Sequence, residues 1–280
     1  MKRIGIIIGF ILLKGNISAQ DSERIMQQMF VQIEHIHSIS FTITAKERFF
    51  DQYKTDKAFF KRAYYPDAIY YKQVVPPTNA EVLINDKYKN AALVNPNGFP
   101  YINLHLSPYG ELLRDKQHHT IYQAGYAYFY EILLYLKNKY NVLWRDVTTI
   151  EKDVSISEND CYKVVIKNKN YKIIDYKVKN ETTPQQLALQ LNISDYKIVE
   201  LNSFIKNIFH KINAGTSLKI PSDYASSIIL YVDKELMIPR IIEVYDEKGL
   251  FEKYLFEDIH INPPFTKEDF DENNKEYGFK

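Results

Sequence analysis

The sequence predicts an α+β protein in which antiparallel β-strands dominate. Residues 39–44 alternate apolar and polar side chains, which is typical of a strand with one buried face. Further short β segments follow it, separated by Pro, Asn and Asp residues, as in an antiparallel meander. The chain also has 23 Tyr and 16 Phe against only 9 Gly, a composition that favours packed sheets over flexible linkers.

The first 19 residues predict a secretory signal peptide. Lys2 and Arg3 precede an apolar run at residues 4–13, and the small residues Ser18 and Ala19 offer a cleavage site after Ala19. The run is shorter than the roughly 20 residues of a bilayer span, so we expect no transmembrane segment after cleavage. The mature chain is therefore expected in the periplasm or elsewhere in the bacterial cell envelope.

Charge and cysteine content exclude several classes of protein. The formal net charge is +1, and cleavage would remove the cations Lys2, Arg3 and Lys14. A nucleic-acid partner is not expected, because such proteins usually present a basic face. The single cysteine, Cys161, cannot form an internal disulfide or a cysteine-rich zinc site. We expect no metal and no cofactor.

Two helices interrupt the predicted strands of the main domain. Residues 21–37 repeat Ile25, Met29 and Ile33 at helical spacing. Residues 120–137 are apolar on nearly every side, so this second helix should be buried within surrounding strands. The remaining strands are predicted at residues 57–64, 68–75, 80–85, 88–94, 142–150, 160–168, 227–233, 237–246 and 250–258.

Residues 173–223 depart from the β pattern and predict a βααβ module. A strand at 176–179 precedes the helices QQLALQLNI and YKIVELNSFI, and INAGTSLKIP closes the segment. The segment resembles a LysM domain over this whole length, most specifically in the closing strand. It departs from the family where Asn180-Glu181 replaces the usual Gly-Asp pair, and the link from Asn202 to Gly215 is longer than usual.

The LysM resemblance implies that peptidoglycan, or another polymer of N-acetylglucosamine, is a partner. It places the glycan groove between the first turn and the loop after the second helix. The implied glycan-binding residues are Glu181, Thr182, Thr183, Pro184, Asn202, Ser203, Phe204, Ile205 and Lys206.

With the module removed, the strand at 160–168 continues into that at 227–233, so the module is predicted to be an insertion in a hairpin. The host would comprise residues 20–172 and 224–280. It resembles the LolA/LolB-like superfamily through the polar stretch AKER at 45–48, through AEVLIN (80–85), VNP (94–96) and LSPYG (106–110), and through NPPF (262–265) with the segment that follows it.

This second resemblance implies a curved antiparallel sheet, or half-barrel, packed on helices around an apolar cavity. The implied ligand is a lipid or the acyl chain of a lipoprotein. The residues that we expect to line the lipid cavity are Phe41, Ile43, Tyr128, Phe129, Ile132 and Leu133.

Catalytic motifs are weak, and we do not expect an enzyme or any catalytic residue. His118 and His119 form a pair near Asp115, but adjacent helical residues point about 100° apart and rarely share a metal. We predict that they are solvated residues at a helix N-terminus. Glu47 and Arg48 are a possible buried ion pair.

The sequence thus favours a non-catalytic envelope protein whose module binds peptidoglycan and whose host domain binds a lipid or acyl chain. Two alternatives stay open. One is a structural envelope scaffold with a filled core that binds a protein partner. The other is a wall or lipid hydrolase that uses His118 or His119.

Overall fold

The computed structural model describes residues 19–74 and 79–279. The predicted signal peptide, residues 1–19, lies outside the described residues apart from the backbone of Ala19. Helix α1 (Ala19–Glu34) opens the described chain. Its residues Ile25, Met26, Met29 and Phe30 recur at helical spacing and are buried in the main core.

One curved, unclosed antiparallel sheet of eleven strands forms the body of the molecule. The α+β class with a large curved sheet is therefore confirmed. The strands are β1 (Ser38–Phe49), β2 (Gln52–Tyr64), β3 (Asp67–Gln73), β4 (Glu81–Ile84), β5 (Ala92–Asn95), β6 (Leu104–Leu106), β7 (Thr148–Ile156), β8 (Asn159–Lys167), β11 (Ser227–Asp233), β12 (Pro239–Asp246) and β13 (Gly249–Ile261).

The sheet consists of two meanders that meet at its centre. Its spatial order is β6-β5-β4-β3-β2-β1-β13-β12-β11-β8-β7, so the strands nearest the two chain ends, β1 and β13, pair with each other. Ile43 faces Phe256 across this pair, and Ala45 faces Tyr254. The face of the sheet that carries these side chains is called the inner face here.

The chain between β6 and β7 contains the helices α2 (Glu111–Arg114), α3 (Ala127–Tyr140) and α4 (Trp144–Val147). Helices α1, α3 and α4 share one hydrophobic core with the inner face of the sheet. The predicted strand at 142–150 is wrong over residues 144–147, where Trp144 is buried and its carbonyl accepts a hydrogen bond from the Thr148 hydroxyl at 2.7 Å.

The predicted helix at 120–137 begins too early. The backbone N–H and the hydroxyl of Thr120 both donate to the side-chain oxygen of Gln123, at 2.9 and 3.1 Å, which closes a separate single turn. Ala124 is then extended, and Gly125 has a φ of +98° that an L-residue rarely adopts. Helix α3 therefore starts at Ala127.

Helix α3 is also less uniformly buried than its composition predicted. Phe129, Ile132, Leu133 and Leu136 are buried on one face, whereas Glu131 is exposed. The tyrosines of the helix are half-buried along its sides, where the ring can pack while the hydroxyl reaches a polar partner. The helix covers the sheet and is not wrapped by it.

The opposite, outer face of the sheet is covered by the C-terminal segment, residues 262–279. The buried side chains Phe270 and Phe279 pack on β3, β4 and β5, and Tyr277 stacks on Tyr70 with ring centroids 3.7 Å apart. The N–H of Gly278 donates to the buried carboxylate of Glu81 at 2.6 Å. This half of the sheet is thus shielded on its outer face by the chain terminus.

Residues 173–223, called the two-helix module here, have a separate two-stranded sheet and a separate hydrophobic core. The module comprises β9 (Ile173–Lys177), α5 (Pro184–Leu191), α6 (Asp195–Leu201) and β10 (Ser217–Pro221). It leaves and rejoins the large sheet between β8 and β11, which pair antiparallel. The βααβ order agrees with the prediction, although α6 stops at Leu201, earlier than predicted.

Candidate ligand-binding site

A cavity of about 610 Å³ lies against the inner face of the sheet. Strands β1 to β6 and β13 form its walls, and the segment from Leu112 to Phe129 closes it on the other side. The part of the sheet beyond β13 is packed instead by α1 and α3. The space that stays open therefore lies over β1 to β6 and β13.

The period-two alternation of the strands selects the lining residues. Ile43, Ala45 and Glu47 of β1 line the cavity, and their neighbours in sequence point to the outer face. The alanines make room, because Ala45 on β1 and Ala58 on β2 occupy positions where larger side chains would fill the space. Further lining positions on β2 to β6 and β13 are Lys54, Asp56, Phe60, Tyr71, Gln73, Val82, Val94, Leu104, Leu106, Tyr254 and Phe256.

The cavity is polar at one end and apolar at the other. Along β2 the lining changes from Phe60 and Ala58 to Asp56 and Lys54, and the strand register places Lys54 opposite Glu47. At this polar end the ammonium of Lys54 lies 2.6 Å from the carboxylate of Asp56, which also accepts a hydrogen bond from the amide of Gln117 at 3.1 Å. Such an arrangement suits a molecule with one polar and one apolar end.

Behind the polar end, two buried carboxylates face each other across neighbouring strands. Glu47 pairs with Glu252 in the β1–β13 register, a placement that is repulsive unless charge is compensated. His118 compensates it, because its backbone N–H donates to Glu47 at 3.1 Å and its Nδ1 lies 2.7 Å from Glu252. Two tyrosine hydroxyls complete the network, since Tyr254 donates to Glu47 at 2.6 Å and Tyr224 to Glu252 at 2.8 Å.

The geometry assigns a positive charge to His118. Its Nε2 lies 2.9 Å from the carbonyl oxygen of Arg48 while Nδ1 faces the Glu252 carboxylate, so both ring nitrogens face acceptors and both must donate. Burial alone would lower the pKa of His118, but Glu47 and Glu252 raise it above its ordinary value. Burial alone would raise the pKa of Glu252, but His119 and His118 hold it well below its ordinary value.

The prediction that His118 and His119 are solvated at a helix N-terminus is wrong. The side chain of His118 is fully buried and that of His119 is nearly so, and both histidines precede the single turn at 121–123. His119 borders the cavity, and its Nε2 lies 3.3 Å from Glu252. The imidazoles are buried because they contact the carboxylate of Glu252, which is paired with that of Glu47. The sequence pattern does not show this pairing, because the two residues are far apart along the chain.

The predicted Glu47–Arg48 ion pair is also wrong, because adjacent strand residues point to opposite faces of the sheet. Arg48 instead contacts the carboxylate of Asp246, which also lies 2.8 Å from the ammonium of Lys197 in α6. Lys197 is itself buried and lies 2.9 Å from Glu200. This buried ion network joins the two-helix module to the large sheet.

The sequence-predicted lipid-cavity residues separate into two groups. Ile43 and Phe129 line the cavity. Phe41 lies beneath it in the core, stacked on Phe60 with ring centroids 5.1 Å apart. Ile132 and Leu133 belong to the core between α3 and the sheet, and Tyr128 borders the junction between the host and the module.

The predicted glycan-binding residues occupy two loops of the module. Pro184, Asn202 and Ile205 are buried. The Asn202 side chain bonds the backbone of Ile198 and Lys219, at 2.7 to 2.9 Å, and so ends α6. The more accessible members of the set are half-buried Thr182 and Thr183 and exposed Glu181, Ser203, Phe204 and Lys206.

The sequence interpretation did not identify the polar end of the cavity. Its members Glu47, Lys54, Asp56 and Gln117 come from β1, β2 and the segment after α2. The alternation of residues 43–47 and 54–60 was the available signal, because it places these carboxylates on the same face as Ile43 and Phe60. Within the described ranges, no group of three or more His, Cys, Asp and Glu side chains is arranged to hold a metal ion.

No helix in the described part of the chain has both the length and the hydropathy needed to cross a bilayer. Residues 184–279, about a third of the chain, match the model of a protein family of unknown function, DUF1571. The match begins in α5 and continues through β13 into the C-terminal segment, so it spans the predicted border between module and host. No curated protein sequence matches the chain significantly.

Several solved structures are similar to the chain at low identity. MucB is 8% identical, with a TM-score of 0.44, over 90% of this chain and 62% of the MucB chain. LprF from Mycobacterium bovis is 11% identical, with a TM-score of 0.42, over 90% of this chain and 97% of its own. The lipoprotein LppX from Mycobacterium tuberculosis is 9% identical, with a TM-score of 0.40, over 89% of this chain and 99% of its own. The chain therefore spans less than two thirds of MucB.

Proposed function

We propose that the cavity binds one amphiphile, such as a lipid or a lipoprotein acyl chain, without catalysing a reaction on it. The observation that carries this proposal is the volume of about 610 Å³ left open between mostly apolar walls. Ligand sites for small molecules have volumes in this range and combine apolar walls with a few polar groups. The alternative of a filled core is less favoured, because the inner-face aromatics leave this space open.

The polarity gradient orients the proposed ligand. Its hydrocarbon chain would lie against Phe60, Val94 and Leu106, and its polar group would lie beside Glu47 and Asp56. Each methylene group that leaves water for such walls contributes roughly 0.8 kcal/mol. A single chain of ordinary length therefore supplies enough free energy for binding.

The buried histidines support binding more than hydrolysis. Both ring nitrogens of His118 donate hydrogen bonds, so this residue has no lone pair with which to act as a general base. Tyr224 and His119 are both engaged with Glu252. This network serves to neutralise charge behind the polar end of the cavity.

The binding proposal is tested by titrating the full chain with a neutral lauroyl monoglyceride below its aggregation concentration, using calorimetry. Ala45→Phe places a ring in the cavity and should abolish binding. Ala63→Phe is the matched control, because Ala63 is also a half-buried strand alanine but packs on the outer face. Equal binding by wild type and Ala45→Phe, with both folded, would contradict the proposal.

For the module we propose a second function, binding of peptidoglycan through a LysM-like groove inserted in the host. The proposed module is 173–223, within a host of 20–172 and 224–280. This second proposal rests on the motif resemblance. It is supported by the βααβ order and by the exposed residues of both predicted loops. Phe204, 53% exposed, offers an apolar surface on which a sugar face can lie.

Co-sedimentation of the full chain with purified peptidoglycan tests the second proposal. Phe204→Ala should weaken co-sedimentation. Leu189→Ala is the control, because Leu189 has a similar exposure of 55% but lies on α5, away from the predicted loops. Loss of binding in both variants, or in neither, would contradict a groove at Phe204.

We further propose that the chain acts in the bacterial envelope after cleavage at Ala19. Sequencing of the N-terminus of protein recovered from a periplasmic extract tests this location. A mature chain beginning at Gln20 would support it, and a full-length chain retained in the cytoplasm would contradict it.

A further inference from the structure

We infer that the open end of the cavity docks on the surface of a lipid bilayer through the loop of residues 96–103 and through Leu112. This inference rests on the proposed function, because it supplies the route by which an amphiphile enters. The loop joins β5 to β6, and its first residue, Pro96, and the residue that follows it, Leu104, both line the cavity.

The loop presents large apolar side chains to solvent. Phe99 is 87% exposed, Tyr101 79% and Ile102 60%. Isolated exposed apolar residues are ordinary, but a contiguous group of them marks an interaction surface. These three lie within four consecutive residues at the tip of one connection.

Leu112 links this surface to the cavity. Its side chain is 73% exposed and also forms part of the cavity lining, as does the exposed residue Asp115. The strand registers place the β5–β6 loop at the same end of the sheet as Gln73, Asp56 and Glu47. The polar end of the cavity and the apolar loop therefore share one opening.

The chemistry of the loop favours a bilayer over a protein partner. Residues 96–103, PNGFPYIN, contain no charged side chain, so the loop can enter the interfacial region without burying a charge. Tyr is enriched at the boundary between headgroups and acyl chains, and Phe is among the apolar side chains that interfacial segments bury there. Charges of both signs lie at the opening, because Lys54 and Asp115 line it and the Lys116 carbonyl accepts from Lys54, so an anionic membrane is not required.

Such docking would also solve a physical problem of the proposed ligand. An acyl chain that leaves a membrane through water exposes each of its methylene groups to water, and every such exposure is unfavourable. An opening rimmed by apolar side chains that enter the bilayer lets the chain pass from lipid to cavity without that exposure. The partner is therefore a lipid surface that also holds the ligand.

Co-sedimentation of the full chain with phosphatidylcholine vesicles tests the inference. The double variant Phe99→Asp/Ile102→Asp should reduce vesicle binding by about tenfold or more, because two apolar side chains are lost and two charges would enter the interface. Tyr65→Asp is the matched control, because Tyr65 is 90% exposed but lies in the β2–β3 turn at the opposite end of the strands. Vesicle binding unchanged in the double variant would overturn the inference.

A fluorescent reporter gives a second readout. The only tryptophan, Trp144, is buried in the core and should not respond to vesicles. In Phe99→Trp, the new indole should shift its emission to shorter wavelength when vesicles are added. A Tyr65→Trp chain should show no shift, and a shift there with none at position 99 would overturn the proposed orientation.

The two proposals can fail separately. Ala45→Phe should lose the monoglyceride in solution and still bind vesicles, whereas Phe99→Asp/Ile102→Asp should bind the monoglyceride and lose the vesicles. Absence of monoglyceride binding in every chain would defeat the proposed cavity function and leave docking to be decided by the vesicle measurement. Binding of monoglyceride without any vesicle binding by the wild type would defeat docking alone.

Discussion

The guanidinium of Arg114, in α2, lies 2.7 Å from the carboxylate of Asp195, the first residue of α6. Both side chains are buried, and the hydroxyl of Tyr196 donates to the Arg114 carbonyl at 2.7 Å. The preceding residue, Leu113, lines the cavity. The two-helix module is therefore bound directly to the segment that closes the candidate ligand site.

Removing the charge of Asp195 should destabilise the whole chain. In Asp195→Asn, Arg114 stays buried with neutral acceptors alone, because the amide oxygen and the carbonyls of Gln117 and His118 carry no charge. We expect a loss of about 3 kcal/mol in the free energy of unfolding, measured by urea denaturation. Asp175→Asn is the control, because its partner Lys219 and Asp175 itself are largely exposed, and it should cost at most about 1 kcal/mol. Equal losses in the two variants would show that burial adds nothing to the Arg114 contact.

The His118–Glu252 pair should make stability depend on pH. The pKa of Glu252 is lowered in the folded chain. Its carboxylate therefore stabilises the fold at pH values above 4.5, the ordinary pKa, and this stabilisation is lost as the pH falls through the folded pKa. The pKa of His118 is raised in the folded chain. Its imidazolium therefore stabilises the fold at pH values below 6.5, the ordinary pKa, and this stabilisation is lost as the pH rises through the folded pKa. Both groups therefore make their full contribution to the free energy of unfolding between pH 4.5 and 6.5.

Glu252→Gln should therefore cost most between pH 4.5 and 6.5, on the order of 3 kcal/mol, and less as the pH rises through the folded pKa of His118. Urea denaturation across this range measures the difference from wild type. Glu257→Gln, which removes the half-exposed partner of Lys57, should show little pH dependence of this kind. A Glu252→Gln penalty that grows steadily toward alkaline pH would contradict a charged His118.

The polar end of the cavity should discriminate among headgroups by charge. Among the described lining residues, the carboxylates of Glu47, Asp56 and Asp115 outnumber the one ammonium, that of Lys54. A dodecyl chain with an ammonium headgroup should bind about tenfold more tightly than one with a sulfate, because the local field repels anions. Calorimetric titration below the aggregation concentrations measures the ratio.

Asp115→Asn should reduce this ratio, and Lys54→Gln should increase it. Added salt should reduce it as well, because the opening reaches solvent. Preferential binding of the sulfate by the wild type would show that the carboxylates do not set the headgroup preference.

The C-terminal segment should contribute measurably to stability through the outer face. Phe270 is 6% exposed and packs on the outer face of the sheet, so Phe270→Ala should cost about 3 kcal/mol in the free energy of unfolding. Phe99→Ala, at a residue 87% exposed, should cost less than about 0.5 kcal/mol. Urea denaturation compares the two, and a similar loss at both positions would mean that the segment does not hold the sheet.

The alternation at residues 39–44 was enough to predict β1, and helical spacing was enough to predict α1 to within a few residues. The start of the helix within residues 120–137 was harder to predict. The apolar composition continues through Ala124 and Gly125, but the backbone is not helical at these two residues. A local hydrogen bond from Thr120 to Gln123 and the positive φ of Gly125 decide where α3 begins. Amino-acid composition does not indicate either of these two features.

Ile43 and Phe129 were predicted for the cavity and do line it, whereas Ile132 and Leu133 are in the core. All four satisfy the same apolar pattern. Which of them border open space depends on how far α3 extends across the inner face, and this depends on contacts distant in sequence. The roles of Glu47, Asp56 and His118 depend in the same way on strand register.

Most of the strands, helix α1, the βααβ segment and the alternating faces of the strands follow from the sequence alone, because hydrophobic periodicity and turn residues act within a few positions. The tertiary structure alone decides which part of the inner face stays open, which charges meet in the interior, and where exposed apolar side chains adjoin the cavity. Those outcomes depend on segments that are far apart along the chain, such as β1, β13 and the residues around His118. When these segments pack together, their side chains must fill the interior and compensate one another's buried charges.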